Sequence, residues 1–437
     1  MRVLKQPFCR RSRIFKKQVF GVLIFFFFSC LSLTAQDTGW KANPETIQER
    51  QESRPDYVWL ESFVNDYDLP NPLIAESGEL VKTPGEWQSR RKELLEIFRS
   101  QMYGYRPEEP ERVSFHLVEK DYEAIEGNAS MKRISIVSRY EDRTHQFELI
   151  LFLPNQIKNK VPVFLLMNNR SPENTDPTRE NISEFWPVEM VIQRGYGIAA
   201  IQNDELAPDD ADDFHKGVIQ LFEGASSEEK RAPDAWGAVA AWGWGASRVM
   251  DYFEVNPRID ETRIALLGHS RGGKASLWAG AEDERFSIVI SNQSGAGGAA
   301  LSSRGFGETI EAVNRFEHWF NDNFKAFNGR DDEIPFDQHM LISLIAPRAV
   351  YIGSADEDLW ADPKGEFLSL VHASDVYSLW NYQYMGVDQM PALDTPVNFG
   401  HRGYHIRSGF HNLNVNDWQY YLDFADSLWP NTTWKSY

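Results

Sequence analysis

The segment Gly268-His269-Ser270-Arg271-Gly272 carries the clearest chemical signal in the sequence. Its surroundings predict a buried strand over 263–267 and a helix over 272–281. The segment is therefore a G-x-S-x-G pattern in the strand–turn–helix setting that exposes a nucleophilic serine. Free N–H groups at the start of the helix would stabilise an oxyanion beside that serine. We predict Ser270 as a nucleophile; the alternative is a serine that only caps the helix.

A serine nucleophile needs a general base, which follows the serine along the chain in proteins with this turn. Of the ten histidines, His401, His405 and His411 come late enough in the sequence. His405 falls inside a predicted strand at 403–407, where a structural role is favoured. His411 follows that strand in a loop before the predicted helix 415–428. We therefore predict His411 as the base.

The sequence offers two places for the acid that would orient this base. The penultimate predicted strand is followed by an acidic loop with Asp356, Glu357 and Asp358. The strand before it, 286–291, is followed by Gln293, an amide where a carboxylate could stand. A carboxylate stabilises an imidazolium ion, whereas an amide can only orient the ring. We therefore predict Asp358 as the acid.

Two cations follow the nucleophile on one face of the predicted helix, Arg271 and Lys274. Arginine beside a nucleophile binds the negative charge of a transition state more strongly than a neutral ground state; the alternative is a solvated helix face. The acidic run 209–213 lacks the ligand spacing of a cation-binding loop, so we interpret it as a solvated turn. We expect neither a metal nor a cofactor.

The elements that must position these residues alternate along the chain. An N-terminal capping box at Thr83 predicts a helix to about residue 102, and several strands follow before strands and helices alternate. This order predicts an α/β fold with a mixed, mostly parallel central sheet between two helical layers. The further predicted strands are 113–118, 132–138, 146–153, 161–167, 197–201 and 348–354, and the further helices are 233–255 and 363–373.

The N-terminal region resembles an export signal. The first 18 residues carry seven basic side chains and no acid, and an uncharged apolar stretch follows at 19–33. We predict a signal peptide over 1–35, cleaved after Ala35, and export to the periplasm or the extracellular space. The alternatives are a retained membrane anchor and a lipoprotein processed at Cys30. Both cysteines lie in this region, so the cleaved chain would have none.

The remaining sequence is strongly acidic. The 437-residue chain has a formal net charge of −19, and −26 without its basic first 18 residues. Such a surface repels phosphate groups and anionic lipids, so we expect no nucleic-acid partner and no stable membrane partner after cleavage. We predict an extended segment over 36–82 that packs on a catalytic domain over 83–437, and a monomer.

The motifs also carry a resemblance to a known family. Between about residues 83 and 430, the Ser-Arg-x-x-Lys signature at 270–274, SNQSGAGGA at 291–299, WADP at 360–363 and the late His411 resemble carbohydrate esterase family 15, the glucuronoyl esterases. The resemblance implies an α/β-hydrolase fold and a serine esterase that acts through a covalent acyl-enzyme. It implies glucuronoxylan or lignin-carbohydrate esters of 4-O-methyl-glucuronic acid as substrate.

The resemblance also implies roles for individual residues. Arg271 would stabilise the oxyanion, Lys274 and Glu308 would bind sugar hydroxyls, and Trp360 would form a wall of the pocket. Many members of the family carry a catalytic glutamate where this chain has Gln293, a possible second acid position. Three alternatives stay open: an acetyl or feruloyl esterase of the same fold, a peptidase of that fold, and a carbohydrate-binding relative without catalysis.

Overall fold

A computed structural model describes residues 39–107, 109–224, 231–385 and 389–429, so the predicted signal peptide over 1–35 lies outside the described residues. One sheet of ten strands organises these residues, in the order β1-β2-β3-β5-β4-β6-β7-β8-β10-β9. The strands are β1 Arg112–Ala124, β2 Ala129–Tyr140, β3 Arg143–Pro154, β4 Val161–Asn168, β5 Gly197–Gln202, β6 Ile259–His269, β7 Ile288–Asn292, β8 Ala349–Ala355, β9 Val397–Asn398 and β10 Arg402–Arg407.

The sheet is mixed, and its parallel part lies at its centre. β1, β2, β3 and β5 pair antiparallel, whereas β5, β4, β6, β7, β8 and β10 pair parallel. Every residue of β4, β7 and β8 is buried, as expected for strands that helices cover on both faces. The short β9 pairs antiparallel with β10 and was not predicted from the sequence.

Helices cover both faces of this sheet, and a separate apolar core fills each interface. The α-helices are α1 Pro44–Ser53, α2 Pro84–Phe98, α3 Val188–Gln193, α4 Val218–Glu223, α5 Ala238–Val255, α6 Arg271–Glu282, α7 Ile310–Val313, α8 Gln338–Ser343, α9 Pro363–His372, α10 Ser374–Tyr377 and α11 Val415–Leu428. One core includes buried side chains of α2, α5, α6 and α8, and the other includes those of α3 and α11. The three-layer α/β prediction is therefore confirmed.

The helix predicted from the capping box at Thr83 is α2. The Thr83 side chain accepts a hydrogen bond from the Glu86 N–H at 3.2 Å, and Pro84 occupies the first turn. The α-helix ends at Phe98, and a π-helical turn over Arg99–Tyr103 continues the chain to the predicted end of the helix.

The segment before α2 is not extended throughout, in contrast to the prediction for 36–82. It contains α1, which Asn43 caps by accepting from the Glu45 N–H at 2.9 Å. No residue of α1 is buried, so its sequence lacks the apolar periodicity that reveals a helix. The segment is anchored farther along by Trp59, which is buried against Phe306 and Leu359. In the part of the chain described, no helix combines the length and apolarity needed to cross a bilayer.

Candidate active site

Ser270 occupies the sharp turn between β6 and α6, as the sequence predicted. Its backbone has φ 57° and ψ −128°, a left-handed conformation that costs energy for a residue with a side chain. A Cβ on Gly268 would lie only 1.9 Å from the Gly272 carbonyl oxygen, so the turn requires glycine there. The turn places Ser270 directly before the first N–H groups of α6, where negative charge is stabilised.

The eight residues predicted for the site line one cavity of about 500 Å³. They are Ser270, His411, Asp358, Arg271, Lys274, Glu308, Trp360 and Gln293. A larger cavity, of about 610 Å³, contains none of them and is lined by residues such as His215 and Arg231. The chemistry of the lining therefore identifies the site better than its volume does.

His411 and Asp358 form a hydrogen-bonded pair at this cavity. The His411 Nδ1 lies 2.6 Å from the Asp358 Oδ2. Asp358 follows β8 and is buried, whereas the His411 side chain is 40% exposed. A carboxylate on Nδ1 selects the tautomer that leaves Nε2 free to accept a proton. The pair therefore has the arrangement required of a general base and its acid.

The other two acids of the same loop do not share this role in the structure. Asp356 accepts a hydrogen bond from the Gly409 N–H at 2.7 Å, and Glu357 is exposed. Neither residue lines the cavity. The candidate base His405 is fully buried in β10, 2.9 Å from the Asp417 Oδ1, and does not line the cavity either.

Gln293 holds the loop of His411 through Asn412 and has no hydrogen bond to the His411 ring. Its Nε2 donates to the Asn412 carbonyl at 2.8 Å, and its Oε1 accepts from the Asn412 N–H at 2.9 Å. Both polar groups of the side chain are thus used on the residue next to His411. The possible second acid position is an amide clamp in this chain.

Replacing Gln293 with Glu is expected to lower both kcat and the melting temperature. A carboxylate there would lose the Nε2 donor and face the Asn412 carbonyl, and leaving a buried polar group unpaired costs about 1–3 kcal/mol. Steady-state kinetics and thermal unfolding test this, with the exposed Gln146→Glu change as a control that should alter neither. Higher turnover in Gln293→Glu would instead support an acid at this position.

Arg271 is oriented by Asp209 and a backbone carbonyl. Its Nη2 donates to the Asn169 carbonyl at 2.9 Å, and its guanidinium forms an ion pair with Asp209. Asp209 also accepts hydrogen bonds from His318 at 2.8 Å and Trp319 at 2.7 Å. Burial alone would raise the pKa of Asp209, but these hydrogen bonds and the Arg271 charge hold it below its ordinary value.

The interpretation of 209–213 as a solvated turn is therefore wrong for Asp209, which lines the cavity. The interpretation as a turn holds for the residues after Asp209. The Asp210 side chain accepts hydrogen bonds from the N–H groups of Asp212 and Asp213 and thus closes a turn. The sequence could not reveal the role of Asp209, because its partners lie about 60 to 110 residues farther along the chain.

Lys274 is buried, so the alternative of a solvated helix face is wrong for it. Its side chain is 3% exposed, and its Nζ donates to the Ser294 carbonyl at 2.7 Å and to the Glu308 Oε2 at 3.0 Å. The other oxygen of Glu308 accepts from the Trp360 Nε1 at 3.2 Å. Lys274, Glu308 and Trp360 therefore form one hydrogen-bonded group on the cavity wall.

His269, the residue before Ser270, packs against the ring of His411. The His269 ring lies 4.5 Å from the His411 ring, centroid to centroid. Its Nδ1 lies 2.6 Å from the Asn292 Oδ1, and its Nε2 faces the Arg170 guanidinium at 3.3 Å. Burial, followed by the His411 and Arg170 charges, lowers the pKa of His269 well below its ordinary value. A neutral ring therefore packs against His411 and adds no competing charge.

A buried carboxyl group, that of Glu366, lies behind the cavity wall. Its oxygens accept from the Ser294 N–H at 2.7 Å, from the Gly295 N–H at 3.1 Å and from the Ser354 hydroxyl at 2.6 Å. Burial raises the pKa of Glu366 to about 8, against the opposing effect of these hydrogen bonds. The folded protein therefore keeps this group protonated over a range in which the unfolded chain ionises it.

Ionisation of Glu366 is expected to lower the free energy of unfolding as pH rises from about 4.5 to 8, and this contribution should be absent in Glu366→Gln. The amide keeps an acceptor for the two N–H groups but has no proton to lose. The melting temperature of Glu366→Gln minus that of the unsubstituted protein should increase by about 2 to 5 °C between pH 5 and pH 9. Calorimetry at each pH measures this, with the exposed Glu126→Gln as control; parallel curves would contradict it.

Comparison with known proteins agrees with the motifs. A family model described as glucuronyl esterase of fungi matches residues 137–381. Carbohydrate esterase MZ0003, from an unknown prokaryotic organism, is 36% identical over 423 residues, which are 90% of this chain and 96% of that protein. A 4-O-methyl-glucuronoyl methylesterase of Phanerochaete carnosa is 26% identical over 330 residues, 72% of each chain.

The fold comparison agrees with the sequence comparison. The glucuronoyl esterase of Solibacter usitatus superposes with a TM-score of 0.78 and 38% sequence identity. The match covers 84% of this chain and all of that one. Because more than half of this chain matches the family model and a relative above 30% identity spans almost all of it, the chain belongs to carbohydrate esterase family 15, the glucuronoyl esterases.

Proposed function

We propose that this protein is a serine esterase that hydrolyses esters of glucuronic acid or 4-O-methyl-glucuronic acid. The observation that carries the proposal is one cavity that contains a serine at a strained turn, a His–Asp pair and an oriented arginine. Ser270 is the proposed nucleophile, His411 the base and Asp358 the acid.

The proposed reaction has two halves. The Ser270 Oγ attacks the ester carbonyl while the His411 Nε2 takes its proton, and Asp358 stabilises the imidazolium formed. The tetrahedral oxyanion is stabilised by the N–H groups at the start of α6 and by Arg271. Its collapse expels the alcohol, which takes the proton from His411 and leaves an acyl-enzyme. Water, deprotonated by His411, then attacks the acyl-enzyme; the bond to Ser270 breaks, the Ser270 Oγ takes the proton back from His411, and the uronic acid is released.

The group formed by Lys274, Glu308 and Trp360 is the proposed binding wall for the sugar. Charged groups held rigidly by one another form short, directional hydrogen bonds with hydroxyl groups. An indole ring offers an apolar face to the C–H groups of a pyranose. A polar wall of this kind favours a sugar acid over a small acetyl group or an apolar peptide side chain. The names of the relatives, glucuronoyl esterase and 4-O-methyl-glucuronoyl methylesterase, support the same substrate class.

The natural substrate in this proposal is a glucuronoxylan or lignin-carbohydrate ester, cleaved by a monomer outside the cytoplasm. The basic and apolar pattern of residues 1–35 supports export. A plant polymer is too large to enter a cell intact, so an enzyme that acts on it must be exported.

Hydrolysis of benzyl glucuronate, measured beside an acetylated sugar and p-nitrophenyl acetate, tests the proposed function. We expect turnover of the glucuronate ester, little of the acetates, and none by Ser270→Ala. Preference for the acetates would favour an acetyl esterase. Binding of benzyl glucuronate without turnover by the unsubstituted protein would favour a non-catalytic carbohydrate-binding protein.

A further inference from the structure

Two arginines of the N-terminal segment, Arg50 at the end of α1 and Arg54 just after it, line the same cavity as Ser270. No chemistry was predicted for this segment from its sequence. Together with Arg271 and Lys274 they are the four Lys and Arg side chains among the described residues that line this cavity. The wall of the cavity is therefore built from both ends of the described chain.

These two arginines differ from the other two cations of the cavity in their partners. Arg271 forms an ion pair with Asp209, and Lys274 forms one with Glu308. Arg50 donates to the Glu357 carbonyl at 3.3 Å, and its buried Nε has no partner among the described residues. Arg54 is exposed, and its guanidinium carbon lies 4.1 Å from the centroid of the Trp360 ring.

Neither Arg50 nor Arg54 has a carboxylate partner in the part of the chain that the structure describes. Other exposed arginines, such as Arg112 and Arg315, also have no ion pair among the described residues, but they do not line this cavity. Arg50 and Arg54 differ from them because they lie beside Ser270 in a chain with a net charge of −19. Two cations that line the cavity of Ser270 without a carboxylate partner can bind an anionic ligand.

The segment that carries them is fixed to the loops of the site. Trp59 is buried against Phe306 and Leu359, and the Gly307 N–H donates to the Val58 carbonyl at 3.0 Å. Glu61 forms ion pairs of 2.6 Å with both Arg304 and Lys364. These contacts join the segment to the loops that contain Glu308, Asp358 and Trp360. The segment that carries the two arginines is therefore fixed relative to these loops.

We propose that Arg50 and Arg54 bind a carboxylate of the substrate other than the one that is esterified. The inference rests on the proposed function. An esterified uronate is neutral, and Arg271 and Lys274 are already compensated by Asp209 and Glu308, so a neutral substrate gives the two additional cations nothing to neutralise. Guanidinium groups bind carboxylates through paired, charge-assisted hydrogen bonds.

The second carboxylate has two chemical sources in the substrate. It belongs either to the alcohol that leaves or to a free uronic acid on a neighbouring sugar of the glycan. Trp360 is bonded to Glu308 on its N–H edge and packed against Arg54 on its face. Trp360 therefore connects the group that contains Lys274 and Glu308 to Arg54. Substrates that differ only in where the carboxylate stands distinguish the two sources.

Two pairs of esters test the proposal. The first pair is benzyl glucuronate and its 4-carboxybenzyl analogue; the second is an esterified glucuronoyl xylo-oligosaccharide with and without an adjacent free glucuronate. We expect kcat/KM to favour the anionic member of at least one pair by about tenfold at low salt, mainly through KM, since a hydrogen-bonded charge contributes about 1.5–3 kcal/mol. High salt should reduce the ratio.

Arg50→Gln and Arg54→Gln should each reduce this ratio, and the double variant should bring it close to one. Because both esters are measured on the same variant, any general loss of activity or folding cancels in the ratio. The matched control is Arg330→Gln, an exposed arginine outside the cavity, which should leave the ratio unchanged.

Equal kcat/KM for both members of both pairs, or a ratio that survives in the double variant, would overturn the inference and leave the proposed function intact. If no glucuronate ester is turned over, the proposed function fails instead. Calorimetric binding of the 4-carboxybenzyl ester to Ser270→Ala, with and without Arg54→Gln, then still tests the arginines, because it does not depend on catalysis. Binding that Arg54→Gln does not weaken would count against them.

Discussion

Replacing Asp358 with Asn is expected to lower kcat by about four orders of magnitude, with KM close to that of the unsubstituted enzyme. The Asp358 carboxylate lies 2.6 Å from the His411 Nδ1 and is buried, so water screens its charge less than that of a surface carboxylate. An amide has the same shape but no charge. Its NH₂ group also donates to Nδ1 and then selects the wrong tautomer of His411.

The matched control for this change is Asp356→Asn in the same loop. Asp356 accepts a hydrogen bond from the Gly409 N–H at 2.7 Å, and an asparagine oxygen can accept the same bond. We expect turnover of this variant within a few-fold of the unsubstituted enzyme. Both variants are compared by steady-state kinetics on benzyl glucuronate. Near-normal turnover by Asp358→Asn would show that another group orients the base.

Ser270→Ala is expected to lower kcat by about a million-fold, to the level that binding and oxyanion stabilisation alone provide. The substitution removes only the hydroxyl, and alanine carries the same steric cost as serine at φ 57°. The turn, α6 and the cavity should therefore persist, so the variant should still bind benzyl glucuronate.

A phosphonate reagent that labels active serines gives a second, independent measurement. Mass spectrometry should locate the label on Ser270 in the unsubstituted protein and find none in Ser270→Ala. Labelling of another serine, or turnover by Ser270→Ala above a thousandth of the normal rate, would contradict the assignment of the nucleophile.

The sequence predicted local structure best where that structure depends on residues close together in the chain. The turn around Ser270 needs glycine at 268 because a Cβ would meet the Gly272 carbonyl, and both residues belong to one five-residue motif. The buried strands of the parallel sheet were also predictable, since strands covered on both faces are apolar throughout. Periodicity failed for α1, which has no buried face and whose cap at Asn43 is a weaker signal.

The order of the triad along the chain was enough to choose His411 over His405, and the structure places only His411 at the cavity. The choice among three neighbouring carboxylates was harder, because residues 356 to 358 differ by a few ångströms of backbone path. The direction in which each side chain leaves the end of β8 is a property of the folded loop. Only there does Asp358 turn inward, while Asp356 binds a backbone N–H.

The sequence by itself thus determined the fold class and the turn at Ser270 and was enough to propose the residues of the reaction, because each depends on local sterics, periodicity or chain order. The tertiary structure decided which groups act on them: that Asp209 holds Arg271, that Gln293 holds the loop of His411, and that Arg50 and Arg54 reach the cavity. These contacts join residues that are far apart in the chain. Their energies depend on distance in space, which no local pattern records.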